Sequence, residues 1–343
     1  MNAPTNAAAS GAPTLAWPDG QNVVLLLGAP RSGTTWLAKI FDSHPRVLYR
    51  HEPDTVLRND RIPFLCPRDQ AGAYRDEARR YLTQLLDVRT LKSAGSLPLF
   101  RKDYYGQISW SLRAGVVYSL HAADTMARGS RWARRFPIPD LVSHSADMHP
   151  VIKSVGSRGR ALVWAQALPK SRIVFIMRHP CGQVASTLRG MKSGKFEHNE
   201  TFRAVLVTEE AQTLGLTMAR FSTFSPLEQC AWHWAIMNQK TLNDLSTLDG
   251  NRFKVVRYED ACTDPEGVSK ELLAFSGLDW NEQTAAFVAK STTGGDTNEF
   301  YGTSRNSLAA ANKWRTTLSA EDQRRIRDIA TRVPAGEMFA SMA

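Results

Sequence analysis

Gly28-Ala29-Pro30-Arg31-Ser32-Gly33-Thr34-Thr35 sets a GxxxxG frame between an unbroken apolar run, Val23 to Leu27, and a helical pattern from Thr35 to Phe41. In that setting backbone N–H groups converge on an anion and the helix N-terminus adds its positive end, so the chemistry it suits is phosphate binding. Arg31 places a cation inside the turn. Thr34 stands where ATP- and GTP-splitting enzymes carry a lysine against the β- and γ-phosphates, which points to a ligand without a triphosphate tail. A second apolar run, Ile173 to Met177, ends in Arg178 where a magnesium-dependent enzyme offers an acid. Arg178 and Ser186, across a strand-loop-helix junction, suit a second phosphate: the guanidinium by a two-pronged contact, the hydroxyl from the helix.

Positioning such residues takes a parallel sheet. The runs Val23 to Leu27 and Ile173 to Met177 read as strands buried on both faces, and Val47 to Tyr49, Pro150 to Ile152 and Phe253 to Val256 supply shorter ones. Helical patterns lie between them, including Gly182 to Leu188 and Pro226 to Leu245. The expected class is therefore α/β, a parallel β-sheet flanked by helices, with residues 21–343 as one domain and a largely helical insertion at 74–149. In that insertion Leu112, Val116, Leu120 and Ala123 read as a core stripe. Arg128, Arg131, Arg134 and Arg135 with Trp132 make a basic aromatic cluster, either facing an anionic acceptor or forming a solvated face. Trp232, His233 and Trp234 read as packing residues.

Composition narrows the class. The 343 residues are 43% apolar and 22% charged, ordinary globular values. The formal net charge of +10 favours an anionic partner: a nucleotide, nucleic acid, acidic glycan or membrane surface. Cys66, Cys181, Cys230 and Cys262 lie far apart, so no metal is expected from them and reduced thiols are. Residues 1–20 read as a disordered tail without a secretory pattern, and no run nears the roughly 20 apolar residues of a membrane span. A cytoplasmic location is expected, with no membrane crossing.

Ala29 to Trp36 resembles the 5′-phosphosulfate loop of the sulfotransferases that use 3′-phosphoadenosine-5′-phosphosulfate (PAPS), and Arg178 with Ser186 is similar to their 3′-phosphate motif. Arg257-Tyr258-Glu259-Asp260 resembles their tyrosine-bearing segment. Tyr301 to Ser307, followed by Lys313-Trp314-Arg315, resembles the cofactor-covering loop of the carbohydrate and tyrosylprotein branches. The resemblance implies metal-free in-line transfer of a sulfuryl group from PAPS to a hydroxyl. It implies that Arg31 meets the sulfuryl group or bridging oxygen, and that Ser32, Gly33, Thr34 and Thr35 hold the 5′-phosphate. Arg178 and Ser186 then bind the 3′-phosphate, helped by Tyr258 and Lys313; Arg189 is a weaker candidate because its spacing departs from the tyrosylprotein pattern. Trp36 either lines the nucleotide pocket or packs on the sheet.

The acceptor hydroxyl must lose a proton, which a carboxylate or imidazole in reach can take. Glu52, just after the second strand where related enzymes place a catalytic glutamate, is preferred over its neighbour His51; the alternative is that Glu52 only pairs with Arg50 or Arg58. Lys153, at a strand end, either steadies the departing phosphate or is an ordinary lysine. Similarity of Ser304 to Arg315 to the carbohydrate branch makes a glycan or glycolipid hydroxyl the first expectation for the acceptor, with phenols and tyrosyl peptides open. Three rivals remain: a kinase or NTPase of the same fold with Asp260 assisting Mg²⁺, a basic nucleic-acid-binding protein, and a catalytically silent PAPS-binding protein.

Overall fold

A computed structural model of the chain describes residue 17 and residues 19–126, 135–142, 147–193, 200–293 and 307–342. Strands β1 (Val24–Gly28), β2 (Val47–His51), β3 (His149–Ser154), β4 (Arg172–Met177) and β5 (Phe253–Arg257) pair in the order β2-β3-β1-β4-β5. Every pairing is parallel, as the uninterrupted apolar runs required.

Alternate side chains feed two cores. Leu25, Leu27, Ile173 and Phe175 pack with Tyr81, Trp164 and Trp234 on one face, while Val24, Leu26, Val174 and Ile176 pack with Leu37, Phe41 and Tyr258 on the other. A third cluster, including Val184, Phe221, Trp232 and Ile236, lies where the helix Pro180–Lys192 meets the helix Pro226–Leu245. Trp232 and Trp234 thus pack into different cores, in line with the sequence reading. Local signals set the helix starts: Ser225 and Glu228 form a reciprocal capping box ahead of Pro226, and the His179 side chain accepts from Cys181 N at 3.2 Å.

Between β2 and β3 run the helices Arg75–Leu86, Leu91–Ala94 and Gln107–Met126. Of the expected stripe on the last of these, Leu120 is buried and Val116 and Ala123 pack against the same cluster, but Leu112 is 60% exposed and Arg113 and Val117 are buried in its stead. Leu91 packs with Val117 and Leu120, and Arg113 Nη2 donates to Ala94 O at 2.6 Å, so the neighbouring short helix selects the buried face. Of the basic cluster, Arg135 is exposed, and Arg128, Arg131, Trp132 and Arg134 lie outside the described residues. All four cysteines are buried thiols. No helix among the described residues is long and apolar enough to cross a membrane.

Because the strands are parallel, their C-terminal ends share one edge, and the order puts β1 at its centre. The residues after β4 and β5 stand on one side of the β1 loop, and those after β2 and β3 on the other.

Candidate active site

The chain leaves β1 through a tight turn. Ser32 N and Ser32 Oγ both donate to Ala29 O, at 3.2 and 2.7 Å, and Ser32 is wholly buried. Ser32 therefore shapes the loop rather than presenting its hydroxyl. Arg31 and Gly33 take left-handed backbone conformations, φ 72° and 86°. Gly33 caps the helix Thr34–Ser43, whose first N–H groups have no partner within the helix, leaving donors for an anion. A Cβ on Gly33 would lie 2.2 Å from the Tyr258 ring, so glycine here serves both backbone angle and close approach. Thr34 is buried and Thr35 half-buried. Trp36 is buried, stands edge-on to Tyr258 and donates its indole N–H to Ser291 Oγ at 3.0 Å, which is its packing alternative.

The β4 side closes on the same loop. Arg31 Nε donates to Ser186 Oγ at 3.0 Å, and Arg178 Nη1 donates to Arg31 O at 2.9 Å. Arg178 Nη2 reaches Ala310 O at 2.9 Å, and its guanidinium lies 4.9 Å from the Tyr258 ring centre. Arg178 Nε is buried without a hydrogen-bond partner among the described residues, a donor suited to a phosphate oxygen. Tyr258 is buried, and burial raises its phenol pKa, keeping it neutral. Trp314 stacks on His179 at 4.4 Å, seating the Lys313–Arg315 segment beside Arg178 with Lys313 exposed. Arg189 is exposed, and Tyr301 to Asn306 lie outside the described residues.

Across β1 stands the carboxylate. Glu52 leaves β2 with φ 44°, its N–H bonded to Lys153 O at 2.9 Å. Lys153 sits on β3, in register with Leu26 of β1 and His51 of β2, and is 1% exposed. Its ammonium holds Glu52 Oε1, while Lys92 Nζ holds Oε2 at 2.8 Å. The alternative pairing with Arg50 or Arg58 is not made: Arg50 is buried and donates to Leu86 O and Tyr49 O, and Glu52 pairs with Lys153 and Lys92. Burial opposes a charge on Glu52, but Lys153, His51 and Lys92 outweigh it and bring its pKa down to about 2. Burial first, then Lys153, depresses His51 to about 3. His51 is therefore uncharged at neutral pH, shares a hydrogen bond with Tyr49 OH at 2.7 Å, and lies 4.0 Å from Glu52.

Sequence reasoning missed Lys92 and Asp54. Lys92 comes from the short helix Leu91–Ala94 and also donates to Thr55 Oγ1 at 2.8 Å. Asp54 Oδ2 accepts from Ser154 Oγ and from Ser157 Oγ, the latter at 3.0 Å, binding the segment after Glu52 to the end of β3. Neither belongs to a recognisable motif, and each meets its partners only through the sheet. Asp260, the acid a magnesium-dependent reading needs, is held in a two-pronged ion pair by Arg257 at 2.7 and 2.9 Å. Among the described residues no His, Cys, Asp and Glu cluster of metal-binding kind occurs.

A lysine-free loop after β1, flanked by an arginine-serine pair and with a carboxylate at the end of β2, is an arrangement suited to holding an anionic donor in an α/β group-transfer protein. Residues 24–282 match the sequence model of the sulfotransferase family, and the chain belongs to that family and is a sulfotransferase. It is 25% identical over 334 residues to carbohydrate sulfotransferase 5 of Mus musculus, covering 89% of this chain and 78% of that one. It is 26% identical over 330 residues to carbohydrate sulfotransferase 6 of Homo sapiens, with the same shares of 89% and 78%. Among solved structures it is similar to the sulfotransferase domain from the curacin biosynthetic pathway, at 16% identity and a TM-score of 0.45, covering 91% and 98% of the two chains.

Proposed function

We propose that this sulfotransferase takes its sulfuryl group from PAPS and delivers it to a hydroxyl of a carbohydrate, with residues 21–343 acting as one catalytic domain. The carbohydrate sulfotransferases it resembles support the acceptor class. The observation that carries the donor assignment is Arg178: its buried Nε has no hydrogen-bond partner among the described residues, beside a helix N-terminus with open amides. The N–H groups of Gly33, Thr34 and Thr35 would hold the 5′-phosphate, and Arg178 and Ser186 the 3′-phosphate, with Tyr258 beneath and Lys313 at the rim. Arg31 stays within reach of both through its contact with Ser186.

Glu52 is the proton acceptor in this reading. The acceptor O–H proton passes to its carboxylate as the new oxygen–sulfur bond forms, while the bond from sulfur to the 5′-phosphate oxygen breaks. The electron pair leaves on that phosphate, whose charge the loop amides and Arg31 meet. A carboxylate held near 2 is a weak base, and losing the contact with the exposed Lys92 as an acceptor enters would raise its proton affinity. Lys153, buried on the strand between, keeps Glu52 aimed at the edge.

The test is transfer of label from ³⁵S-PAPS to saccharides, phenols and tyrosyl peptides, with binding of 3′-phosphoadenosine-5′-phosphate (PAP) measured by calorimetry without Mg²⁺. Labelled saccharide is expected. Tight binding of Mg-ATP without binding of PAP overturns the donor assignment, and label confined to phenols or peptides overturns the acceptor class.

A further inference from the structure

We propose that Arg158, with His233 beside it, forms an anion-binding subsite for a carboxylate or sulfate ester carried by the acceptor, an inference that rests on the carbohydrate reading above. Arg158 opens the 3-10 turn Arg158–Arg160 just beyond β3. It is 4% exposed, and its Nε and Nη1 are shut from solvent without a hydrogen-bond partner among the described residues. Most other buried cations are met differently, although Arg113 also has a buried Nε without a hydrogen-bond partner among the described residues while its Nη2 donates to Ala94 O. Lys39 and Lys102 share Asp42, Lys153 pairs with Glu52, Lys240 pairs with Asp244, and Arg50 donates to carbonyls. No ion pair to Arg158 is present among the described residues, and burial alone brings its pKa down to about 10. A buried, uncompensated guanidinium opposes folding, and a well-packed apolar residue of similar volume would favour it. An anion that arrives with a ligand would compensate it.

The helix Pro226–Leu245 packs against this turn and brings His233 to it. His233 Nε2 is likewise closed to solvent and unpartnered among the described residues, while the residue as a whole is half-buried under Phe202, ring centres 4.5 Å apart. Burial first, then the charge of Arg158, brings His233 down to about 3, so it is neutral, and in the Nε2–H tautomer it would donate. Two unpartnered groups on packed elements, the turn and the helix, with Arg158 close enough for its charge to act on His233, suit the oxygens of a carboxylate or sulfate.

The pair also stands by the catalytic edge. Trp234, next to His233, donates its indole N–H to Arg178 O at 3.0 Å. On the other flank, Ser157, next to Arg158, donates to Asp54, two residues beyond Glu52. An acceptor reaching Glu52 would thus extend a charged neighbour group toward Arg158.

The experiment compares a uronic-acid-containing tetrasaccharide with its carboxyl-reduced neutral counterpart, using the wild type, Arg158→Met and Arg158→Lys. The wild type is expected to favour the acidic acceptor by about tenfold or more in kcat/KM, through KM. Arg158→Met should erase that preference, leave the neutral acceptor and PAP affinity unchanged, and raise Tm because the unpaired charge is gone; Arg158→Lys should keep part of the preference. Equal use of both acceptors by the wild type, or an unchanged ratio in Arg158→Met, overturns the subsite. If neither saccharide is labelled although PAP binds, the carbohydrate reading fails, and a separate arm decides the subsite. Inorganic sulfate, added with saturating PAP, should raise the wild-type Tm but not that of Arg158→Met, and equal rises overturn the subsite. Should Arg158→Met fail to fold, Arg158→Gln and His233→Ala replace it in the same comparisons.

Discussion

Arg31 Nε donates to Ser186 Oγ at 3.0 Å, latching the loop after β1 to the helix after β4. Arg178 closes the same circuit by donating to Arg31 O, so the groups assigned to the 5′- and 3′-phosphates form one network. Removing one member should therefore be felt at both phosphates.

Arg178→Ala is expected to weaken PAP binding by about 1.5–3 kcal/mol, the scale of a charge-assisted hydrogen bond. Adenosine 5′-phosphosulfate, which lacks the 3′-phosphate, should lose less but not nothing, since the Arg31 carbonyl also loses its donor. Titration calorimetry with both nucleotides checks this. Unchanged PAP affinity removes Arg178 from the site.

Glu52→Gln should lower kcat by roughly 10²–10⁴ while PAP affinity stays within a few-fold. It also leaves Lys153 buried beside a neutral partner, so Tm should fall. Adding Lys153→Met should recover Tm but not turnover, separating the fold from the chemistry. Recovery of turnover in the double variant assigns the proton acceptor elsewhere.

The pH profile carries a sign. With Glu52 depressed to about 2 against an ordinary value of 4.5, its carboxylate stays ionised as pH falls to well below 4.5. Before the acceptor enters, the acid limb of kcat/KM from this group should therefore lie below about pH 4. Lys92→Met removes one of the cations holding the value down, so the limb should move up toward the ordinary carboxylate range. A limb at the same pH in the wild type and Lys92→Met would show that Lys92 does not act on the base.

Gly33→Ala should lower Tm sharply and abolish measurable PAP binding. Alanine at φ 86° is strained by about 1–2 kcal/mol, and its Cβ meets the Tyr258 ring. Tyr258→Ala in the same chain should relieve the contact without restoring the backbone preference, so Tm recovers only in part. A melt of the single variant equal to that of the wild type would mean that the loop adopts another conformation.

Much of the site was legible because its signals are local. The buried run before Gly28, the glycine frame and the helix after it lie in one short window, and so do the strand ending at Met177, Arg178 and Ser186. Each depends on neighbouring residues through burial period and turn chemistry, which a linear sequence displays. The strand read at Val47 to Tyr49, which runs on to His51 in the fold, likewise put Glu52 just beyond a strand end.

What the chain order could not show is which groups meet across elements. The sequence by itself determined the α/β class, the candidate anion-binding loop and the candidate cations, because strand, turn and helix preferences act over a few residues. Only the tertiary structure decided that Glu52 pairs with Lys153 and Lys92 instead of Arg50 or Arg58, since ion pairing depends on distances set by the β2-β3-β1 order and by a helix of the insertion. It alone decided that Arg113 rather than Leu112 turns inward, because a helix's period is intrinsic while the face it buries is chosen by what packs on it. It alone left Arg158 without a carboxylate partner among the described residues, because whether a buried charge finds a partner is a property of the assembled interior.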